Sequence, residues 1–241
     1  MPHETSHLPD GPEGDSEGAL DSAANHLRSS PRPARTSPAR DRTILSGRQE
    51  RDLVAWAREG GRLIEPSFYL PRLEDAGEEH RVWLDEASQR YFKATHAGRF
   101  GFCVIALDDG TAELTGATPL EYLERLQLQN QLFTDDIRLV GVALERGQAV
   151  IVTSQEAIRG TEVKAEEIET FMRKLWFQPL TSLSLGRPGA LAFYRDLDEV
   201  AAFDAHPGNF VKDDNGVVLP IDLILVRADE PLQKALQAHL N

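Results

Sequence analysis

The chain has 241 residues with 26 Lys+Arg against 39 Asp+Glu, a formal net charge of -13, which argues against an electrostatic grip on nucleic acid or anionic lipid. A lone cysteine, Cys103, excludes an internal disulfide, and no CxxC or Cys/His zinc spacing occurs. The N-terminus lacks the basic and apolar regions of a secretory signal and no apolar run approaches the ~20 residues of a membrane span, so a cytoplasmic protein without membrane or nucleic-acid partners is expected.

Residues 1–43 are rich in Pro, Gly, Ser and charge, acidic at first (Glu4, Asp10, Glu13) and then basic (Arg28, Arg32, Arg35), and poor in large apolar side chains. Such a stretch buries too little surface to offset its ordering entropy, so a disordered tail is predicted. Ser46 with Gln49 three residues on reads as a capping box, Leu53, Trp56 and Ala57 share a helical face, and Gly60-Gly61 supplies the stop. Two β-rich runs follow, Ser67 to Leu73 and Arg81 to Thr95. The second is a hairpin around DEASQ that carries Lys93 on its second strand.

Thr118-Pro119 opens the next helix, with Thr as N-cap, Pro at N1 and Glu121 at N3, and its apolar positions run through Leu123, Leu126 and Leu128 toward Phe133. Strands are expected at Ile137 to Leu144 and Ala149 to Thr153 about the turn Arg146-Gly147. Ile168, Phe171, Met172 and Leu175 then mark a further helix.

The segment from Phe203 to Leu225, FDAHPGNFVKDDNGVVLPIDLIL, carries the chemistry. Phe210 to Lys212 and Val217 to Ile221 flank Asp213-Asp214-Asn215-Gly216, and Asn-Gly between strand-like runs is a hairpin signal. At the open end of such a hairpin the residue before the first strand and the residue after the second, Asn209 and Asp222, lie side by side, with Asp204 and His206 entering the same end. Oxygen ligands gathered with a spare carboxylate suit a hard cation such as Mg²⁺ that completes its shell with phosphate and water.

DAHPGN followed by the hairpin and PIDL resembles the catalytic loop and metal-binding Asp segment of the protein-kinase-like fold, in the form seen in aminoglycoside phosphotransferases. Asp204 and Asn209 keep the five-residue separation of that loop, and Ile221-Asp222-Leu223 stands where kinases have D-F-G. Lys93 in YFKAT resembles the strand lysine of kinases, and PLEYLERLQLQNQLF resembles the helix whose glutamate pairs with it. Over residues 47–228 the chain is similar to the kinase-like domain within polyvalent proteins of bacterial mobile elements.

The resemblance implies an α+β, bilobal protein-kinase-like fold with an antiparallel-sheet N-lobe over 46–153 and a minimal, truncated helical C-lobe over 154–241. It implies a Mg-ATP-dependent phosphotransferase, a protein kinase, acting on a hydroxyl of an unknown protein or small molecule. Lys93, paired with Glu124 (or, failing that, Glu121), would meet the α- and β-phosphates of ATP. Asn209 and Asp222 would hold Mg²⁺, and Asp204 would face the acceptor hydroxyl. Ser154 and Gln155 would be the hinge along which adenine bonds to backbone, and Gly77 the one glycine of the phosphate lid. His206 is expected to shape the loop.

Two departures accompany the likeness. The lid region has a single glycine and four acids, Glu74, Asp75, Glu78 and Glu79, and only 19 residues follow Asp222, too few for an activation segment. Two alternatives therefore stand beside the kinase: a nucleotide-binding pseudokinase or interaction module, and a metal-dependent hydrolase using Asp204, His206 and Asp222.

Overall fold

The computed structural model describes residues 16–29, 39–73 and 75–240; the rest of the expected tail, residues 1–15 and 30–38, lies outside the described residues, as does Glu74. Within that tail the structure overturns the expectation of disorder, because Ser16–Arg28 is a helix (α1). Its Ala19, Leu20, Ala23, Ala24 and Leu27 recur at helical spacing and are buried in one core with Leu53, Leu123, Leu139 and Ile151. Small alanines let α1 lie close to its neighbours, which is why a composition poor in large apolar residues still builds a packed helix.

The second helix, α2 (Ala39–Glu59), begins seven residues before Ser46, so the expected capping box does not form. Gln49 is buried and caps another helix, its side-chain oxygen accepting the Leu120 N–H at 3.1 Å. α2 ends where expected. Gly61 takes φ 65° and the Arg62 N–H returns to the Ala57 carbonyl at 2.7 Å, the six-to-one bond of a Schellman cap.

Ser67 to Leu73 is not a strand but two short 3-10 turns, Pro66–Phe68 and Leu70–Arg72, because Pro66 and Pro71 fix φ and remove ladder donors. Phe68 and Tyr69 instead pack on Trp83 and Phe92. Strands β1 (Asp75–Ala76), β2 (His80–Asp85) and β3 (Arg90–Thr95) follow, then a separate hairpin of β4 (Phe102–Ala106) and β5 (Ala112–Gly116). Helix α3 (Pro119–Phe133) starts with the reciprocal Thr118/Glu121 capping box that the sequence predicts. Strands β6 (Arg138–Glu145) and β7 (Gln148–Glu156) join at Arg146-Gly147, both at positive φ, as a tight hairpin of this hand requires.

These strands make one antiparallel five-stranded sheet in the order β1-β2-β3-β7-β6, with Lys93 on the central strand opposite Val82 on one side and Thr153 on the other. Arg62 to Ile64 run along the β6 edge, where a Cβ on Gly141 would stand 2.6 Å from the Arg62 carbonyl oxygen, so only glycine fits there.

Residues 154–241, expected as a minimal helical lobe carrying the catalytic loop and a hairpin, hold more strand than helix. β7 continues through Ser154 and Gln155 to Glu156, so the first sheet extends past the expected boundary at 153. Beyond it lie β8 (Gly160–Glu162), α4 (Ala165–Lys174), β9 (Gln178–Pro179), β10 (Leu191–Arg195), β11 (Val200–Ala205), β12 (Phe210–Asp213), β13 (Val218–Pro220), β14 (Ile224–Arg227) and α5 (Glu230–Gln237). The sheet β14-β11-β10-β9 is covered on both faces. Ala192, Ala201, Phe203 and Val226 meet Leu232 and Leu236 of α5, while Phe193, Ala202 and Leu225 meet Ile168 and Met172 of α4. Strands buried on both sides carry no polar alternation, which is why they did not read as strands.

The hairpin β12–β13 forms in the expected place, with Phe210 opposite Pro220 and Lys212 opposite Val218, and Gly216 alone of its turn residues taking positive φ. Among the described residues no helix is long and apolar enough to cross a membrane.

Candidate active site

β11 delivers the catalytic-loop motif to the mouth of the β12–β13 hairpin. Asp204 sits near the end of β11 at φ 58°, a left-handed conformation that Asp tolerates better than most residues. Its Oδ1 accepts the Arg187 backbone N–H at 2.6 Å. Asn209 Nδ2 donates to the Asp204 carbonyl at 2.9 Å and to its Oδ2 at 3.2 Å. His206 shapes the loop, as expected: it is the N-cap of the 3-10 turn Pro207–Asn209, and its Nδ1 accepts the Gly208 N–H at 3.1 Å.

From this loop a short chain of bonds leads to the strand lysine. The Ile221 N–H donates to the Asn209 carbonyl at 2.8 Å, and the Ile221 carbonyl accepts from Lys93 Nζ at 2.9 Å. Asn209 is thus opposite Ile221, with Asp222 one residue further on. The structure therefore brings together Lys93 on β3, Asp204 on β11, Asn209 in the 3-10 turn and the Asp222 segment that follows β13.

Asp222 has a second set of partners that sequence reasoning missed. Arg125 on α3 reaches its Oδ1 at 2.6 Å, and His80 Nδ1 stands 3.6 Å from its Oδ2. Burial pushes the Asp222 carboxyl up, but Lys93, Arg125 and His80 together outweigh it and hold the group well below the usual carboxylate range. Arg125 is itself buried; desolvation lowers its pKa, yet Glu79 and Asp222 raise it further still, so the guanidinium stays charged. Its Nη1 meets Glu79 Oε2 at 2.5 Å and its Nε donates to the Leu223 carbonyl at 2.7 Å. The sequence signal was an arginine inside the buried face Tyr122, Arg125, Leu126, Gln129, where helical periodicity calls for an apolar residue.

The helix glutamate chosen for Lys93 is elsewhere. Glu124 pairs with Arg28 of α1 at 3.3 Å, and Glu121 closes its capping box while pairing with Arg42 at 2.7 Å. Both carboxylates lie on a face of α3 turned toward the N-terminal helices, because α1 and α2 supply the cations there. Among the described residues Lys93 instead has the Ile221 carbonyl as its hydrogen-bond partner and Asp222 as its counter-charge.

Of the expected nucleotide contacts, Ser154 and Gly77 are engaged elsewhere, whereas Gln155 stays beside Lys93. Ser154 lies within the ladder, paired with Phe92 on one side and Arg138 on the other, and its carbonyl further accepts from Arg90 at 3.2 Å, so its backbone is not an open hinge. Gln155 pairs with Tyr91, and its side chain donates to Asp135 at 2.6 Å while lining a small space with Lys93, Thr153 and Asp222. Gly77 is in the β1–β2 turn, but its N–H is engaged by the His80 carbonyl at 2.7 Å and its carbonyl by His96, so it does not offer its amide to a phosphate. Of the acids in that turn, Glu79 is neutralised by Arg125.

The space between Lys93, Asp222 and α3 is filled by the Arg125 and His80 side chains, leaving a cavity of about 10 Å³, the size of one water. The donors fit a hard cation of few protein ligands. Asn209 turns its amide nitrogen to Asp204 and so its oxygen the other way, and Asp222 is anionic with a second oxygen beside Oδ1. Among the described residues no group of three or more His, Cys, Asp or Glu side chains is placed to hold a metal; Asp222 bonds Arg125, while His206 stands 3.7 Å from Asp204.

The family model described as serine/threonine/tyrosine kinase found in polyvalent proteins matches residues 46–227. No curated protein and no solved structure matches the chain.

Proposed function

We propose a Mg-ATP-dependent phosphotransferase, from the premise that the chain belongs to the family of serine/threonine/tyrosine kinases found in polyvalent proteins. The observation that carries the reading is the continuous line of hydrogen bonds from Lys93 through the Ile221 peptide and Asn209 to Asp204. It links the groups that phosphoryl transfer needs, a cation for the phosphates, oxygen ligands and a carboxylate near the acceptor, and transfer is mostly positioning and charge neutralisation.

In this reading the β1-β2-β3-β7-β6 sheet is the nucleotide lobe and the mainly β remainder a reduced second lobe. Lys93 uses one proton on Ile221, which fixes its stem, and keeps two for the α- and β-phosphates. Asn209 and Asp222 would hold Mg²⁺, which shields the phosphate oxygens and orients the terminal group. Asp204, oriented by the Arg187 amide and Asn209, accepts the proton of an acceptor hydroxyl on a protein or small molecule.

Incubation with Mg-ATP tests this by ADP release and by mass spectrometry for a phosphorylated Ser, Thr or Tyr, with Asp204→Asn as the inactive control. A protein that neither releases ADP nor gains thermal stability with Mg-ATP sinks the reading. Stabilisation without ADP selects the second reading, a nucleotide-binding module that does not turn over, which the Arg125 bond on Asp222 and the filled cleft favour.

A further inference from the structure

We propose that Arg125 is a positioning residue of this cleft, coupling helix α3 to both Asp222 and the β1–β2 turn, the work that a helix glutamate on the strand lysine would otherwise do. The catalytic consequence rests on the kinase reading; the coupling itself does not.

Arg125 makes three bonds in three directions: Nε to the Leu223 carbonyl at 2.7 Å, Nη2 to Asp222 Oδ1 at 2.6 Å, and Nη1 to Glu79 Oε2 at 2.5 Å. Its side chain is 4% exposed, so the guanidinium itself is shielded from bulk water, a setting in which charge-assisted bonds are strongest. A planar guanidinium offers these donors in a fixed fork, which a lysine does not.

What it grips matters. Glu79 lies in the turn between β1 and β2, where a phosphate lid belongs, and also accepts the Phe102 N–H at 3.3 Å. Asp222 and Leu223 lie between β13 and β14, outside any ladder. α3, by contrast, is fixed independently by its capping box, by Gln49 on its first turn and by Arg28 on Glu124. A rigid helix thus sets two less restrained segments through one side chain. Asp222 is held through Oδ1 by Arg125 while its Oδ2 faces His80 Nδ1 at 3.6 Å, and the two together fix its rotamer.

Charge decides how to test it. Arg125 and Lys93 balance Glu79 and Asp222, so Arg125→Met alone leaves two carboxylates with one cation and endangers the fold. Arg125→Met with Glu79→Gln removes one charge of each sign, and any change it causes reports coupling and not net charge. Arg125→Lys keeps the charge and loses the fork.

Hydrogen exchange by mass spectrometry on the apo protein gives the first readout. In the folded double variant, residues 77–80 and 221–224 exchange at least about tenfold faster together, while the interior of α3 does not change. The second readout is ADP affinity by calorimetry with and without Mg²⁺. The Mg²⁺-dependent tightening falls at least about fivefold in the double variant and in Arg125→Lys, while Mg²⁺-free affinity stays within about twofold, and kcat falls with KM for ATP nearly unchanged. Unchanged exchange in either segment overturns the coupling, and unchanged Mg²⁺ tightening overturns its role in the cleft. A wild type that binds no ADP ends the kinase reading and the role in the cleft together, and the exchange result still decides the coupling.

Discussion

Asp204 combines a left-handed backbone with a carboxylate held from two sides, a conformation of order 1 kcal/mol above the ordinary regions that persists because its surroundings over-determine it. Asn tolerates the same backbone and its oxygen still accepts from Arg187, so Asp204→Asn keeps the fold but removes the proton acceptor. Turnover is expected to fall about 100-fold or more with ADP affinity little changed, read by ADP release against calorimetry. Gly186 defines the other side of the same carboxylate. It has φ +100°, and a Cβ there would stand 2.7 Å from Cβ and Cγ of Asp204. Gly186→Ala must displace the whole Asp204 side chain and adds backbone strain at its positive φ, so it is expected to lower both turnover, read by ADP release, and the melting temperature. Lys93→Met keeps the length of the stem, drops the bond to Ile221 and the phosphate donors, and is expected to weaken ATP binding about tenfold or more.

At the scale of elements, α1 makes the clearest prediction. Leu27 is fully buried between α1 and the core of α3 and β6, so Leu27→Ala is expected to cost about 2–4 kcal/mol, measurable as a lower denaturant midpoint at unchanged slope. An unchanged midpoint would mean that α1 is not part of the folded unit. The same helix shows where the sequence was legible and where it was not. Features closed within a few residues were readable: the Thr118/Glu121 box, the Gly60-Gly61 stop, the turn at Gly147 and the β12–β13 hairpin each follow from local backbone chemistry. That Lys93, Asp204, Asn209 and the Asp222 segment come together is readable because a motif preserves their order. Partners chosen by tertiary contact were not. Glu124 pairs with Arg28 and not with Lys93, and nothing in a Ser- and Pro-rich stretch announces that Arg28 will stand over it. Arg125, the residue that does face Asp222, is not legible in the same way, because an arginine on an apolar helix face violates helical periodicity.

The whole molecule carries a formal charge of -13, yet several of its carboxylates are tied down. Glu145 accepts from Arg81 at 2.7 and 3.1 Å and from the Tyr69 hydroxyl, and burial, which pushes it up, loses to these bonds, so its pKa lies below the ordinary value. Asp136 is likewise held down by Arg138 and Arg90 against the opposing effect of burial. For a carboxylate whose folded pKa is depressed, the native state binds fewer protons than the unfolded chain at acid pH. The stabilisation is fully present above the unfolded value near 4.3 and is lost as pH falls through the folded one. Protonation also relieves the repulsion of a net negative chain, which opposes that loss at mildly acid pH; below about pH 4.5 the ion pairs dominate, because each is partly desolvated while the remaining surface charge is screened. The melting temperature should therefore be nearly flat from pH 8 to about pH 5 and fall below it. Glu145→Gln separates the two effects. It is expected to melt several degrees lower than wild type at pH 7, since a charged bond of about 1.5–3 kcal/mol is removed from each Arg81 contact group, and to converge on wild type as pH falls toward the folded pKa. A gap between the two that stays constant down to about pH 3.5 would show that Glu145 does not contribute through its charge.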